Sequence, residues 1–537
     1  MAKQLLYGQD GRDAVKTGVQ KMARAVKSTL GPRGRSAIID RGWGSPNVTR
    51  DGSSVADEVE LSCPYENMGA QMVKEAASKT GDEAGDGTTT ATVLAEAIFL
   101  EGMRRVTAGA DPMALKRGVD RAVAAVLDEL KRLSRPIEGH KNLEEIAIIA
   151  AGNDRAIGTL IAEAFEKVGA DGVVTIEEGK GVDTEVKTVD GMQFDRGFLS
   201  PHFVTDADAV QSVLENPYIF IHEDKLSSVA KLIPLLEQAS QKKARLLVIA
   251  EDIDGEALAT LVVNKLRGIL ECCAVKAPGY GDRLKAMLED LAILTGGKAF
   301  FKDLGADLEK VSLEDLGRAK KVIIDTDNTT IVEGKGAKKD VQARIAQIRQ
   351  EIEETTSDYD KEKLQERLAK LSGGIAQVLA GGATETQMKE RKARINDAVH
   401  AVRAAQEEGV LAGGGVALVR ARKAVDGLKL SGDEAAGAEI VRRACEAPIR
   451  QIAENAGREG AVVIRDVLAA KDEDFGYDAE RDTFGNLRKA GVLDATKVVR
   501  SALQNAASVA TLLLTTECMV ADIPEEKKAD AHAGHHH

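Results

Sequence analysis

The sequence predicts a mixed fold, mainly α, with an α/β module inserted between two helical ends. Three observations carry this. Apolar residues recur at helical spacing from the start to about residue 133 and again toward residue 523. Between these stretches, strand-like runs alternate with helical ones, the texture of an α/β module. The chain has 537 residues, too many for one ordinary domain. Inserted domains are best tolerated where the host's two ends lie close, so the helical ends read as one interrupted domain.

In order, Val15, Val19, Met22, Val26 and Leu30 mark one face of a first helix that Gly31-Pro32 stops. Ser36 to Asp40 and Pro46 to Arg50 are strand candidates, the second ending at Asp51-Gly52. Helices follow to about 133, broken at Gly81–Gly87 and at Ala110-Asp111-Pro112. Runs beginning at Gly172, Tyr218, Leu246 and Lys321 read as strands, and 226–242, 254–270 and 282–296 as helices. Thr175–Gly181 and Thr330–Gly336 each read as a strand entering a glycine turn. Residues 338–371 form a charged helical hairpin, with apolar stripes at Val341, Ile345, Ile348, Ile352 and at Leu364, Leu368, Leu371. Helical texture then continues to about 523, and the His-rich end from Pro524 to His537 is expected to be disordered.

Composition narrows the function. Lys and Arg number 73 against 86 Asp and Glu, a net charge of −13. An acidic chain with 10 Phe, 6 Tyr and 1 Trp suits neither phosphate neutralisation nor base stacking, so nucleic acid is not an expected partner. No apolar run approaches the roughly 18 residues that span a bilayer, and the first residues lack the apolar stretch of a signal peptide. A cytoplasmic protein with no membrane partner is expected. The five cysteines (63, 272, 273, 445, 518) have no framework spacing and read as reduced thiols.

The strongest local signal is Gly85-Asp86-Gly87-Thr88-Thr89-Thr90 leading into an apolar helix. Backbone N–H groups and hydroxyls at a helix N-terminus form an anion site. A carboxylate among phosphates repels them unless Mg²⁺ lies between. Taken alone, the motif fits helix capping and nucleotide binding about equally. Thr29-Leu30-Gly31-Pro32, Asp51-Gly52 and Gly413-Gly414-Gly415 add further close-approach loops, each singly no more than a turn. Neither a GxxxxGK[ST] loop nor a GxGxxG after a strand is present, so an ATP site here is neither a P-loop nor a dinucleotide crevice.

These loops, together with Glu66–Glu75, Ala84–Leu94, Gly191–Gly197, Ala404–Gly409 and Thr515–Val520, resemble the group I chaperonins of the GroEL type, from residue 3 to 523. The resemblance implies a nested layout: equatorial domain 1–133 and 409–523, intermediate domain 134–190 and 375–408, apical domain 191–374, and a tail, 524–537. Hinges match Pro136, Gly191, Gly374 and Gly409. It implies an ATPase that captures unfolded proteins and encloses them beneath a co-chaperonin lid, in a homo-oligomer of two stacked seven-membered rings. Asp86 matches the Mg²⁺ ligand, Gly87, Thr88, Thr89 and Thr90 the phosphate cradle, and Leu30, Gly31, Pro32 and Gly414 nucleotide contacts. Thr29 and Arg50 match positions whose backbone carbonyls serve K⁺, with Arg50 where the family usually has Lys. Asp494 matches the carboxylate on the ribose, and Asp51 and Asp397 the acidic pair around the attacking water. Asp478, beside Ala479, stands where Asn commonly meets the adenine; an ionised Asp only accepts hydrogen bonds.

On the apical segment, Val229, Leu232, Ile233, Leu236, Leu258 and Val262 recur at helical spacing, a pattern more often core than surface. The resemblance instead places Phe198, His202, Phe203, Ile233, Leu236, Leu258, Val262 and Val263 on an exposed client-binding patch. His202 replaces the usual Tyr and makes that patch more polar. The tail departs too, carrying four of the eight His in its last six residues where Gly-Gly-Met repeats are usual; such a tract suits metal binding or no role at all. A plain ATP-using enzyme would need a recognisable nucleophile or His base, and none is seen. A scaffolding paralogue is compatible with His202, Asp478 and the tail.

Overall fold

The computed structural model describes residues 3–40, 46–169, 172–179, 181–207, 209–302, 308–355 and 357–522. It divides into two compact units, Met1–Ala162 with Glu385–His537, and Glu163–Thr384. The His-rich tail lies outside the described residues.

The first part of the chain supplies β1 (Lys3–Tyr7), α1 (Gly8–Lys27), β2 (Ala37–Ile39), β3 (Asn47–Thr49), α2 (Gly52–Asp57), α3 (Pro64–Ala84), α4 (Thr88–Thr107), α5 (Pro112–Leu133), α6 (Gly139–Ala150) and α7 (Arg155–Val168). Val15, Val19, Met22 and Val26 are buried on α1 as their spacing predicts. Leu30 does not extend that stripe. The Ser28 and Thr29 hydroxyls take the carbonyls of Ala25 and Val26 at 2.8 and 2.9 Å, and the chain leaves the helix there. Asp111 caps α5 by accepting from the Met113 and Ala114 N–H groups, with Pro112 at the first helical position.

The middle of the chain supplies β4 (Val173–Glu178), β5 (Glu185–Val189), β6 (Gly191–Phe194), β7 (Ser212–Glu215), β8 (Tyr218–His222), α8 (Ile233–Gln241), β9 (Leu246–Ala250), α9 (Gly255–Leu266), β10 (Cys272–Lys276), α10 (Asp282–Thr295), β11 (Ala299–Phe300), β12 (Gly317–Ile324), β13 (Thr329–Gly334), α11 (Lys338–Glu354), α12 (Asp358–Ser372) and β14 (Ile375–Ala380). Strands order as β10-β9-β8-β12-β13-β6 in one sheet, with β11 on β8 and β7 on β12. β8, β9 and β10 run parallel with α8 and α9 as crossovers. Every residue of Leu246–Ala250 is buried, as befits a strand covered on both faces. The hairpin of α11 and α12 buries only Ile348 and Leu371 of its two stripes. An ionic contact anchors it: Asp290 on α10, 1% exposed, accepts from Arg344 Nε at 2.6 Å and Arg367 Nε at 3.0 Å.

The last part supplies α13 (Glu385–Glu408), β15 (Val410–Ala412), α14 (Val416–Ala421), α15 (Gly432–Ala444), α16 (Ala447–Asn455), α17 (Gly460–Ala469), β16 (Phe475–Asp478), β17 (Thr483–Asn486), β18 (Leu493–Ala495), α18 (Thr496–Thr515) and β19 (Cys518–Asp522). The continuous helical reading to 523 is corrected: strands β14 to β19 interrupt it. Ile375–Ala380 has the apolar content of either a helix or a strand, and pairing with β4 and β5 decides.

Both chain ends build one core. Val15, Met22, Leu94, Phe99, Leu115 and Val126 pack with Val441, Leu503, Val509 and Leu514. Glycines permit the closest approaches. A Cβ on Gly18 would meet the backbone of Glu66, and one on Gly118 that of Glu434. β1 and β19 pair antiparallel from Lys3↔Asp522 to Tyr7↔Cys518.

Candidate functional site

A cavity of about 990 Å³ opens in the unit built from the two chain ends. Its walls bring together Thr29, Leu30, Gly31 and Pro32 after α1, Arg50 and Asp51 after β3, and Asp86, Gly87, Thr88, Thr89 and Thr90 at the start of α4. From the other half of the chain come Asp397 on α13, Gly414 before α14, Asp478 and Ala479, and Asp494 on β18. These residues are hundreds of positions apart in sequence.

The loops meet because glycine lets them. Gly87 has φ +86°, and a Cβ there would lie 2.7 Å from Val498 Cγ1. Gly52 leaves room for the Thr89 hydroxyl, which a Cβ at 52 would strike. Asp86 Oδ1 accepts from the Gly87 N–H at 2.5 Å. The opening N–H groups of α4 have no partner within the helix, and they stand beside the Thr88–Thr90 hydroxyls at the positive end of the helix dipole.

Asp51, Asp86, Asp397 and Asp494 are among the carboxylates that face this space. Asp51 caps α2, accepting from Ser53 N (3.1 Å), Ser54 N (2.8 Å) and Ser54 Oγ (2.7 Å). The other three are unusually reluctant to ionise. Burial raises the Asp397 pKa well above the ordinary carboxylate value, and the charges of Asp86 and Asp51 add to it. Burial and Asp51 raise Asp86 against the lowering effect of the Gly87 hydrogen bond. Asp494 is pushed up to about 6 by burial, then by Asp86. Such a cluster is stabilised by a cation. No group of three or more His, Cys, Asp or Glu among the described residues is arranged to hold a metal by itself. The donor set is chemically compatible with a hard cation such as Mg²⁺ that takes most of its oxygen ligands from elsewhere.

Asp478 is 6% exposed, and its carboxylate is occupied by its own turn. It accepts from Glu480 N and Arg481 N and pairs with Arg481 Nη1 at 3.1 Å. Arg50 donates to the Pro32 carbonyl at 3.1 Å and so ties two of the loops together. Sequence spacing gave no sign of Asn455, whose amide donates to the carbonyls of Lys27 (3.0 Å) and Leu30 (2.9 Å) and fixes the turn after α1. Nor did it reveal His400, which packs against Gly85.

The model of the TCP-1/cpn60 chaperonin family matches residues 22–524. The chain belongs to this family. Chaperonins are ATP-hydrolysing chaperones that assemble as rings and act on protein clients.

In this chaperonin the middle unit holds the residues expected to form a client patch, and they differ in exposure. Ile233 and Val263 are exposed, as are Leu266 (63%) and Ile269 (50%), neither of which the sequence reading placed on the patch. Phe198, Leu236, Leu258 and Val262 are half-buried and His202 is exposed. Phe203 is a correction. It is fully buried in the core of this unit and lies on no exposed patch. Pro201–Phe203 form a 3₁₀ turn started by Ser200, and the turn points His202 out and Phe203 in. Val229 and Leu232 are likewise core. All five cysteines are free, and no described helix is long and apolar enough to cross a membrane.

Proposed function

We propose that this chaperonin is of group I: an ATP-driven, cytoplasmic folding machine of two stacked seven-membered rings that closes over its clients with a co-chaperonin lid. The observation that carries the reading is the cavity at the start of α4, where glycine loops and hydroxyls gather around buried carboxylates with raised pKa values. The three-domain division stated for the sequence is part of the proposal, with Pro136, Gly191, Gly374 and Gly409 as hinges. Gly409 and Gly374 have φ of +80° and +65°, a conformation that other residues adopt only with strain.

Thr88, Thr89 and Thr90 and the first N–H groups of α4 hold the phosphates. Asp86 holds Mg²⁺ against them, which neutralises charge on the transferred phosphoryl group. The Thr29 and Arg50 carbonyls hold K⁺. Leu30, Gly31, Pro32 and Gly414 shape the nucleoside end, and Asp494 accepts from the ribose. Adenine meets the Asp478–Ala479 turn, where the carboxylate already serves Arg481. Asp397 and Asp51 orient the attacking water, and Asp397's raised pKa suits a group that takes up a proton.

Clients bind the apolar edge formed by Ile233, Leu236, Leu258, Val262 and Val263, flanked by Phe198 and His202. Contacts of this kind tolerate many partners. The test separates the two sites. Val263→Ser should weaken aggregation suppression of an unfolded client while phosphate release persists. If Val263→Ser leaves client capture intact, or abolishes both activities, the reading fails. Electron micrographs with and without ATP and a co-chaperonin test the ring and the lid.

A further inference from the structure

Asp86 stands between two glycines in left-handed conformation, Gly85 at φ +69° and Gly87 at φ +86°. A turn flanked this way has no neighbouring side chains to hold it in place. Its support comes from outside. Val498 from α18 closes on Gly87. On the other side His400 from α13 closes on Gly85, so tightly that a Cβ at 85 would overlap His400 Cβ, Cγ and Nδ1. His400 lies one helical turn beyond Asp397, on the same face of α13. One helix therefore carries both a carboxylate of the cavity wall and a ring wedged against the loop that bears a second carboxylate.

The contact is one of shape. Burial first, then the charges of Arg403 and Lys497, push the His400 pKa down to about 4, so the ring is neutral near pH 7. Burial, then the charge of Asp86, makes Asp397 hard to ionise, so electrostatics tends to part the two. The ring limits how far the loop can yield toward α13.

We propose that His400 is a positioning residue that sets where Asp86 stands relative to Asp397, acting through Gly85 and touching neither nucleotide nor water. This rests on the ATPase reading above and extends it to a residue outside the cavity wall. Rates respond steeply to such placement: a shift of about 1 Å can cost roughly 10²-fold.

The experiment compares four variants of the full chain by phosphate release, direct binding of Mg-ATP and thermal unfolding. His400→Ala should lower kcat by roughly 10- to 100-fold while nucleotide affinity stays within about threefold. His400→Phe keeps a flat ring without the nitrogens and should hold kcat within about threefold of wild type. Gly85→Ala should be inactive, and adding His400→Gly, which removes the Cβ that the new methyl would strike, should restore part of the activity, a coupling that independent residues do not show. His400→Gln replaces the alanine variant if that does not fold, with the same expected loss. Wild-type kcat in His400→Ala, a phenylalanine variant as poor as alanine, or additive effects in the double variant would each overturn the role. A wild type that hydrolyses no ATP would overturn the underlying reading instead, before any variant is compared.

Discussion

The two units break the ordinary rule of burial in opposite directions. Around the cavity of the first, carboxylates are drawn out of water: Asp86, Asp397 and Asp494 all resist ionisation there. On the second, Ile233, Val263, Leu266 and Ile269 are left in water while the sheet beneath them is packed dry. Each exception costs stability in the isolated chain. On the function proposed above, each would be relieved by a partner of matching chemistry, a cation with phosphates in one case and apolar polypeptide in the other. Local violation of folding physics is thus a pointer to function, and the sign of the violation names the class of ligand.

The sharpest way to break this comparison is Asp86→Lys. It places a cation where the proposed Mg²⁺ would sit, so phosphate release should fall to background and nucleotide affinity with it. Activity near wild type would reduce the loop to a helix start. Asp397→Ala leaves that loop alone. ATP should bind normally while turnover drops by roughly 10²–10⁴, the usual loss with a general base. Equal losses in binding and turnover would contradict its assignment.

Phe203→Ala tests the boundary between core and patch on the second unit. Deleting a fully buried ring should cost about 3–5 kcal/mol in urea unfolding, whereas Val263→Ser on the surface should cost about 0.5 kcal/mol or less. Similar costs would mean that the two residues do not differ in burial. The last test concerns Asp494. Its folded-state pKa of about 6 lies above the ordinary 3.8, so the folded state binds the proton more tightly. Its contribution is favourable at low pH, is lost as pH rises from about 4 to 6, and is flat above. Ligand-free Asp494→Asn should therefore be more stable at pH 7, by about 3 kcal/mol, with a weaker pH dependence across that window. Parallel pH curves for the two proteins would remove Asp494 from the buried cluster.

Much of this was legible in sequence where a signal was local. The α1 stripe, the break placed at Gly81–Gly87, which the structure narrows to Gly85–Gly87, and the strand-helix alternation of the middle unit each sit within one short window. What failed was non-local. Ile375–Ala380 becomes a strand only because β4 and β5 flank it. Phe203 turns inward because of a 3₁₀ turn that no periodicity announces. The family resemblance brought Asp86, Asp397 and Asp494 together on paper, and the fold places them around one cavity. Asn455 and His400 carry no motif, and their roles come from partners hundreds of residues away in the chain.

The pairing of β1 with β19, and the packing of α18 among helices from the first 133 residues, impose an order on biosynthesis. A ribosome adds roughly 5–20 residues per second, so about 20–70 s separate the emergence of α5 from that of α18. The middle unit lies wholly within that interval and can finish folding as soon as it is made. The amino-terminal helices cannot, because Leu503, Val509 and Leu514 do not yet exist to cover them. For that time the nascent chain presents bare apolar helices. A protein whose family rescues exposed chains is, during its own synthesis, in need of the same protection.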